Sequence, residues 1–166
     1  MRKLFLLRGA PGSGKSSFIA RHHLTPYAIS RDQIRLLLAD LTVYYQEDAD
    51  VLHQVIPRHV TVRTEQMVDH LVEHKMEHGE TVIVDGTHIV PSAIEHFKPW
   101  VDKYHYECFV VDLMQHNTLE NLLKRNQTRM HYDWVKPEVV KQMYRSYEAH
   151  PEVPSWAHKI IPTQMD

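Results

Sequence analysis

The sequence is short of the features that would brace it covalently or hold it in a membrane. One cysteine, Cys108, among 166 residues rules out a disulfide within the chain, and a reducing cytoplasm is the expected location. Cys108 stands in the apolar run Cys108-Phe109-Val110-Val111, which suits a buried, inert thiol. No run approaches the ~20 apolar residues that cross a bilayer, so the membrane is not an expected partner. Met1 to Leu7 is basic and then apolar, but a glycine-rich segment follows at once with no small-residue cleavage site, so a signal peptide is not expected. The formal net charge of −2 argues against wholesale coating of nucleic acid and leaves room for a local basic groove. Glycine is scarce as well, and three of the five, Gly9, Gly12 and Gly14, crowd into one short segment.

No repeat, low-complexity stretch or Ser/Gly linker divides the chain, so the length prior favours one domain over residues 1–166. A chain of this size buries enough surface to fold without a metal or disulfide. Strands are expected at Leu4–Leu7, Tyr27–Ile29, Thr81–Val84, Glu107–Val111 and Lys159–Ile161. Helices are expected at Lys15–His22, Gln33–Ala39, from Pro91 with a break at Pro99, Thr118–Asn126 and Pro137–Ala149. Asp48 to His78 has apolar residues at helical spacing, which predicts a long helix kinked or restarted at Pro57 and ended by Gly79. Strands alternating with helices predict an α/β fold: a parallel five-stranded sheet flanked by helices.

Gly9-Ala10-Pro11-Gly12-Ser13-Gly14-Lys15-Ser16, with Ser17 next, fits the full phosphate-loop pattern between a strand and a helix. The glycines let the backbone take positive φ, so that successive N–H groups turn toward phosphate oxygens. The following helix adds the positive end of its dipole. Lys15 can bridge the outer phosphates of ATP or another NTP, and the Ser16 hydroxyl can ligate Mg²⁺. The pattern therefore points to Mg·ATP binding; alone it does not separate kinases from switches and motors, and the next segment favours a phosphotransferase.

Ile29-Ser30-Arg31-Asp32-Gln33-Ile34-Arg35 places a carboxylate just past a short strand, with an arginine one helical turn on. In a parallel sheet, ligands gather at the carboxyl ends of strands. Asp32 there can take the proton of an attacking hydroxyl, and Arg35 can grip a phosphate on the acceptor. The plainer reading is an N-cap aspartate with a surface ion pair. Asp85, ending the run Thr81-Val82-Ile83-Val84, can orient the Mg²⁺ shell or the acceptor, or can simply open an Asp-Gly turn. Arg125 and Arg129, four apart at the end of a helix, point the same way ahead of a polar stretch and a further helix. That layout suits a lid over about residues 125–137, with a guanidinium brought onto the transferring phosphoryl group. Basic residues at a helix C-terminus favoured by its dipole are the alternative.

The loop together with Ile-Ser-Arg-Asp-Gln-Ile-Arg resembles the kinase module of 5′-hydroxyl polynucleotide kinases, the phage T4-type and bacterial end-healing enzymes. The resemblance runs from about Leu4 to Tyr147 and implies transfer of an NTP γ-phosphate to the 5′-OH end of RNA or DNA. It implies Asp32 as general base and Arg35 as the contact to the acceptor's 3′-phosphate. Val-Asp-Gly-Thr-His at 84–88 resembles the family's Val-Asp-x-Thr-Asn element, which puts Asp85 and Thr87 on the acceptor side and His88 where asparagine is usual. The Lys124-Arg125-Asn126-Gln127-Thr128-Arg129 run is similar to the family's lid, which makes Arg129 the phosphate contact and Arg125 a neighbour of the nucleotide. Two other readings stay open: a P-loop kinase of a small acceptor such as a nucleoside, nucleotide, sugar or antibiotic, and a regulatory ATPase.

Fourteen histidines make the charge sensitive to pH near neutrality. His70, His74 and His78 share a helix face, yet no cysteine and no third-ligand spacing joins them, so a solvated face is expected. Tyr132, Trp134, Tyr144 and Tyr147 suit either base stacking or core packing.

Overall fold

A computed structural model describes residues 2–129 and 131–163. In chain order its elements are β1 (Lys3–Arg8), α1 (Lys15–Arg21), β2 (Ala28–Ser30), α2 (Arg31–Leu38), β3 (Thr42–Gln46), β4 (Val51–Val55), α3 (Thr61–Glu77), β5 (Val82–Asp85), α4 (Pro91–Glu95), α5 (Lys98–Tyr104), β6 (Glu107–Asp112), α6 (Leu119–Gln127), α7 (Pro137–Ala149) and β7 (Ala157–Ile160).

Five strands form a parallel sheet in the order β2-β5-β1-β6-β7. The central strands are apolar on both faces because helices cover both. Leu4, Leu6, Val82, Val84, Cys108 and Val110 are all fully buried. On one side they meet Val68, Val72 and Met76 of α3, which recur every fourth residue so that one stripe faces the sheet. Phe97 and Ile94 join the same core. The other side packs Leu7 and Val111 against Ile19 of α1. Complete burial of each such aliphatic side chain contributes ~1.5–3 kcal/mol. The Cys108 thiol is free and buried, and burial pushes its pKa up to about 12, as an inert core thiol requires. No helix among the described residues is long and apolar enough to cross a membrane.

The expected α/β architecture is present, with the ends of the expected strands and helices displaced by at most two residues. The long helix expected over Asp48 to His78 is not. Its first part is strand β4, paired antiparallel with β3 through a short 3-10 turn over Glu47–Ala49. Asp50 closes that turn at φ 51° and accepts a 2.6 Å hydrogen bond from Tyr45 Oη. Val51, Leu52, Val55 and Ile56 fit helical spacing and strand spacing equally well over so short a run. The β-branched and aromatic content of Thr42–Gln46, with a partner one turn away, decides for the hairpin. Helix α3 begins only after Ile56 and Pro57, both buried, have ended the strand. Pro57 thus marks the boundary and does not kink a helix.

The strand register builds the cleft. Ser30 and Leu7 both lie level with Asp85, on either side of it. The chain leaving β1 into the phosphate loop, the start of α2 and the turn after β5 therefore emerge side by side at one edge of the sheet.

Candidate active site

A cavity of about 430 Å³ opens at that edge. Of the residues singled out from the sequence, it gathers Pro11, Gly12, Ser13, Gly14, Lys15, Ser16 and Ser17 of the loop, Asp32 and Arg35 of α2, Asp85, Thr87, Arg125 and Arg129. Gly9 and Ala10 are absent from its wall and form the stem of the loop instead. Gly9 N donates to Thr87 O at 2.9 Å, and Ala10 is fully buried with its N–H directed to Met114 Sδ at 3.3 Å. A side chain at Gly9 would collide with Ser13, so glycine is required there by close approach.

The loop has the shape of an anion cradle. Gly12 and Gly14 take φ of 86° and 100°, which favours glycine. Gly14 also opens α1, whose first turn holds no acidic residue and no side-chain cap. Ser13 Oγ is buried with no hydrogen-bond partner among the described residues. Lys15 Nζ donates to Gly9 O at 2.6 Å and Ala10 O at 3.3 Å. Lys15 as a whole is half-buried, but its ammonium end is tucked against these carbonyls. Loss of solvent there brings its pKa down to about 8, against the opposing pull of Asp85, while Arg129 adds to the lowering. Burial also raises Asp85 above the ordinary carboxylate range, with Lys15 pulling the other way. Ser16 and Asp85 offer a hydroxyl and a carboxylate in one cavity, a hard-oxygen pair that fits Mg²⁺.

At α2 the N-cap is Ser30, whose hydroxyl accepts from Gln33 N at 3.3 Å. That leaves the Asp32 carboxylate in the first turn without a capping role. Arg35 Nη1 donates to Asp32 Oδ1 at 2.8 Å, so the ion pair of the plainer reading does exist. Only its carboxylate is at the surface: the Arg35 side chain is 9% exposed and that of Asp32 is 47% exposed, and Arg35 Nε is buried with no hydrogen-bond partner among the described residues.

Arg125 Nη1 donates to Gly12 O at 3.2 Å and to Asn117 Oδ1 at 2.8 Å, which ties α6 to the loop. Asn117 Nδ2 in turn donates to Ser13 O at 3.2 Å. Arg129 reaches the same cavity from just beyond α6. On the far side of the loop, Ser13, Ser17, Arg21, His116, Asn117 and Arg125 help to line a second cavity of about 350 Å³.

Four features in and around the cavity go beyond what the sequence shows. His88 is fully enclosed at φ 44°, with Nδ1 2.6 Å from Leu7 O and Nε2 3.2 Å from Arg31 Nη1. Burial first, and Arg31 second, bring its pKa down to about 3, so it is neutral, donating from Nδ1 and accepting at Nε2. Arg31 is also paired with Glu65 at 2.7 Å and crosses over Gly86, where any Cβ would strike it. Arg58 lines the cavity from the segment read as helix interior. Asp112, at the end of β6, is wholly buried against Arg8 at 3.7 Å and Tyr147 Oη at 2.9 Å. Trp134 is buried in a stack with His53, 3.7 Å between ring centroids and 2° between planes, and with Tyr44 at 5.6 Å. The stack joins the segment before α7 to the hairpin, so Trp134 has no free face of the kind base stacking would need. A chemical signal for Arg58 was present in Ile-Pro-Arg ahead of a helix, but only a recognised hairpin would have aimed it at the cleft.

The histidine face of α3 is exposed as expected. The structure adds Glu77 to His74 and His78, with potential ligand atoms within 4.8 Å of one another, and leaves His70 outside the group.

A family model described as an AAA domain matches residues 4–150. Comparison with curated proteins finds no match. Among solved structures, a chain of the Pnkp1/Rnl/Hen1 RNA repair complex aligns with TM-score 0.68 and 20% identity over 90% of this chain. The alignment takes in 45% of that chain, so the present sequence spans less than half of its length. A candidate kinase from Chloroflexus aurantiacus j-10-fl aligns with TM-score 0.66 and 13% identity, over 99% of this chain and 92% of its own. A gluconokinase from Sinorhizobium meliloti 1021 aligns with TM-score 0.54 and 13% identity, over 99% and 85%. At these identities the likeness is one of fold: the α/β fold of P-loop kinases.

Proposed function

Because this chain belongs to the AAA domain family and has a P-loop kinase fold, we propose that it transfers the γ-phosphate of ATP to the 5′-OH end of a nucleic acid. The observation that carries the reading is the buried Arg35 held 2.8 Å from Asp32 across the cavity from the phosphate loop. A hydrolytic switch needs a residue that positions water, whereas this pair offers a base and an anion grip to an acceptor.

In this reading the donor phosphates rest on the loop from Gly12 to Ser16, with the nucleoside directed to the second cavity past Ser13 and Asn117. Lys15 and Arg129 neutralise charge on the phosphates, and Arg125 holds α6 against the loop. Bound Mg²⁺, held by Ser16 with Asp85, would supply Lewis-acid polarisation of the donor phosphates. Asp32 accepts the proton of the 5′-hydroxyl as its oxygen forms a bond to the γ-phosphorus. The bond from that phosphorus to the β–γ bridging oxygen breaks, and ADP departs with the electron pair. Arg35 holds the acceptor's neighbouring phosphate, and the Glu65–Arg31–His88 chain fixes the backbone beside Asp32.

Two facts favour a small hydroxyl acceptor as the second reading: the net charge of −2 and the shared fold with a gluconokinase. Label transfer from γ-labelled ATP to 5′-OH oligonucleotides, with Asp32→Asn alongside, tests the first. The variant keeps shape and loses basicity, so transfer should fall ~10²–10⁴-fold while the Kd for ATP stays at the wild-type value. Equal rates in the two proteins would remove Asp32 as the base.

A further inference from the structure

At the end of α3 that lies away from the cleft, three donor groups face solvent together. His74, Glu77 and His78 are exposed, and each offers a ligand atom within 4.8 Å of the others. Spacings of three and four residues put all three on one side of the helix. The rings of His74 and His78 lie 4.6 Å apart between centroids, tilted by 49°. Zinc–nitrogen bonds of about 2.0–2.1 Å place tetrahedral donors roughly 3.3 Å apart, so rotation of these exposed side chains can close them on an ion without moving the backbone. The sequence pointed to a solvated face for want of a third ligand, and Glu77 supplies it.

The ligands are also held from behind, which an ordinary polar helix face does not require. His78 Nδ1 lies 2.8 Å from His74 O. A carbonyl only accepts, so Nδ1 carries the proton and Nε2 is left to present its lone pair, the usual arrangement of a metal-bound imidazole. The Tyr104 hydroxyl, at the end of α5, donates to Glu73 Oε1 at 2.9 Å and reaches Glu77 Oε1 at 3.1 Å. That contact steadies one oxygen of Glu77 and leaves the other for an ion. The nearby ammonium groups are already matched, Lys75 to Glu80 at 2.8 Å and Lys103 to Glu73 at 2.9 Å. The carbonyl end of the α3 dipole adds a further preference for a cation.

We propose that His74, Glu77 and His78 bind a divalent transition-metal ion of the zinc class, at a site separate from the catalytic cavity. Two imidazole nitrogens and one carboxylate oxygen suit Zn²⁺, Ni²⁺ or Cu²⁺, whereas Mg²⁺ asks for oxygen ligands in an octahedron. Three protein ligands leave a further position to water. Helix α3 has 17 residues, which sets its two ends about 25 Å apart. Its first turn follows Arg58 of the cavity, and the metal group stands on its last turn, before Gly79 and β5. The ion therefore acts on the fold: it fastens the last turn of α3 where the chain turns into the sheet. This site does not depend on the reading of the cleft.

The test is calorimetric titration of zinc chloride into the metal-free protein, as wild type and as His74→Ala, His78→Ala, Glu77→Gln and His70→Ala. His70 shares the helix face but stands outside the group, so it reports any general attraction of zinc to a histidine-rich surface. Each of His74→Ala and His78→Ala should weaken one zinc site at least ~10-fold, Glu77→Gln should weaken it less, and His70→Ala should leave it unchanged. Equal concentrations of Mg²⁺ should not displace the zinc. Zinc at ~100 times its Kd should raise the wild-type Tm by roughly 5–10 °C, with no such rise in His78→Ala. Melts without zinc should coincide for all five proteins, because every substituted side chain is exposed. Zinc binding that is the same in wild type, His74→Ala and His78→Ala would overturn the site, as would an equal loss in His70→Ala or displacement by Mg²⁺. Wild-type affinity in Glu77→Gln would overturn the three-ligand assignment.

Discussion

The two halves of the cleft are built by different means. The donor half is backbone: consecutive residues from Gly9 to Ser17, shaped by positive φ at Gly12 and Gly14 and anchored by α6 through Arg125. The acceptor half is side chain, assembled from α2, the turn after β5 and the segment behind the hairpin. A backbone cradle suits any nucleoside triphosphate, since main-chain N–H groups recognise phosphate and nothing else. In the proposed reading the acceptor half is where substrate is chosen, and the side chains that line it include Arg35, Arg58 and the carboxylates of Asp32 and Asp85.

Breaking the donor half should cost the most. Lys15→Ala is expected to lower kcat/KM for transfer by at least ~10³-fold, at the top of the range for one electrostatic donor. Its unfolding midpoint without nucleotide should match wild type, because Lys15 Nζ touches only loop carbonyls. Single-turnover transfer and thermal melts check both halves of that statement, and substantial residual activity would discard the phosphate-loop role. Arg129→Ala should reduce kcat ~10²–10³-fold with little change in KM for ATP, since a cation over the transferring group acts on charge that develops in the transition state. A raised KM with unaltered kcat would demote the residue to uniform binding.

The donor half was legible because it is local: one run of residues between a strand and a helix, each with its own chemical reason. The parallel sheet was legible for the same cause, as Leu4, Val82 and Val110 stand in short apolar runs. The acceptor half was legible only where it repeats that locality, in Asp32 and Arg35 one turn apart. Arg58 was hidden because Val51, Leu52, Val55 and Ile56 fit two periods, and the choice between them is made by pairing with Thr42–Gln46, a contact that the run itself does not announce. Asp112 was hidden because its partners, Arg8 and Tyr147, come from opposite ends of the sequence. Trp134 stays open between base stacking and core packing in the sequence, because nothing near it announces that His53 covers its ring.

Protonation offers a finer contrast. The Lys15 pKa is lowered from 10.5 to about 8 in the free protein, and phosphate oxygens bind the charged ammonium. Above pH 8 the free lysine loses its proton, so binding must take one up. The Kd for ATP should be level below pH 8 and rise by up to about tenfold per unit above it, as one-proton linkage requires. Calorimetry in buffers of different ionisation heat would register the uptake, and Lys15→Ala should abolish it. Binding of a nucleoside 3′-monophosphate to Arg35 should show no such break, because guanidinium stays charged across that range.

The smallest effect belongs to the brace between the halves. His53→Ala removes the ring stacked on Trp134 and should lower stability by ~1 kcal/mol, a drop of about 2–4 °C in Tm for a chain of this size. An unchanged melt would mean that the hairpin is held by β3–β4 pairing and Tyr44 without help from His53.

The central claim, that the acceptor half selects a phosphate-bearing 5′-OH end, is tested most directly by one competition measurement. Wild-type protein is given γ-labelled ATP with a 5′-OH oligonucleotide, a nucleoside and gluconate in the same mixture, and the label is followed into each product. The account predicts that the oligonucleotide takes most of the label and that its 5′ end carries it. Label in the nucleoside or the sugar acid, with the oligonucleotide left bare, would contradict it.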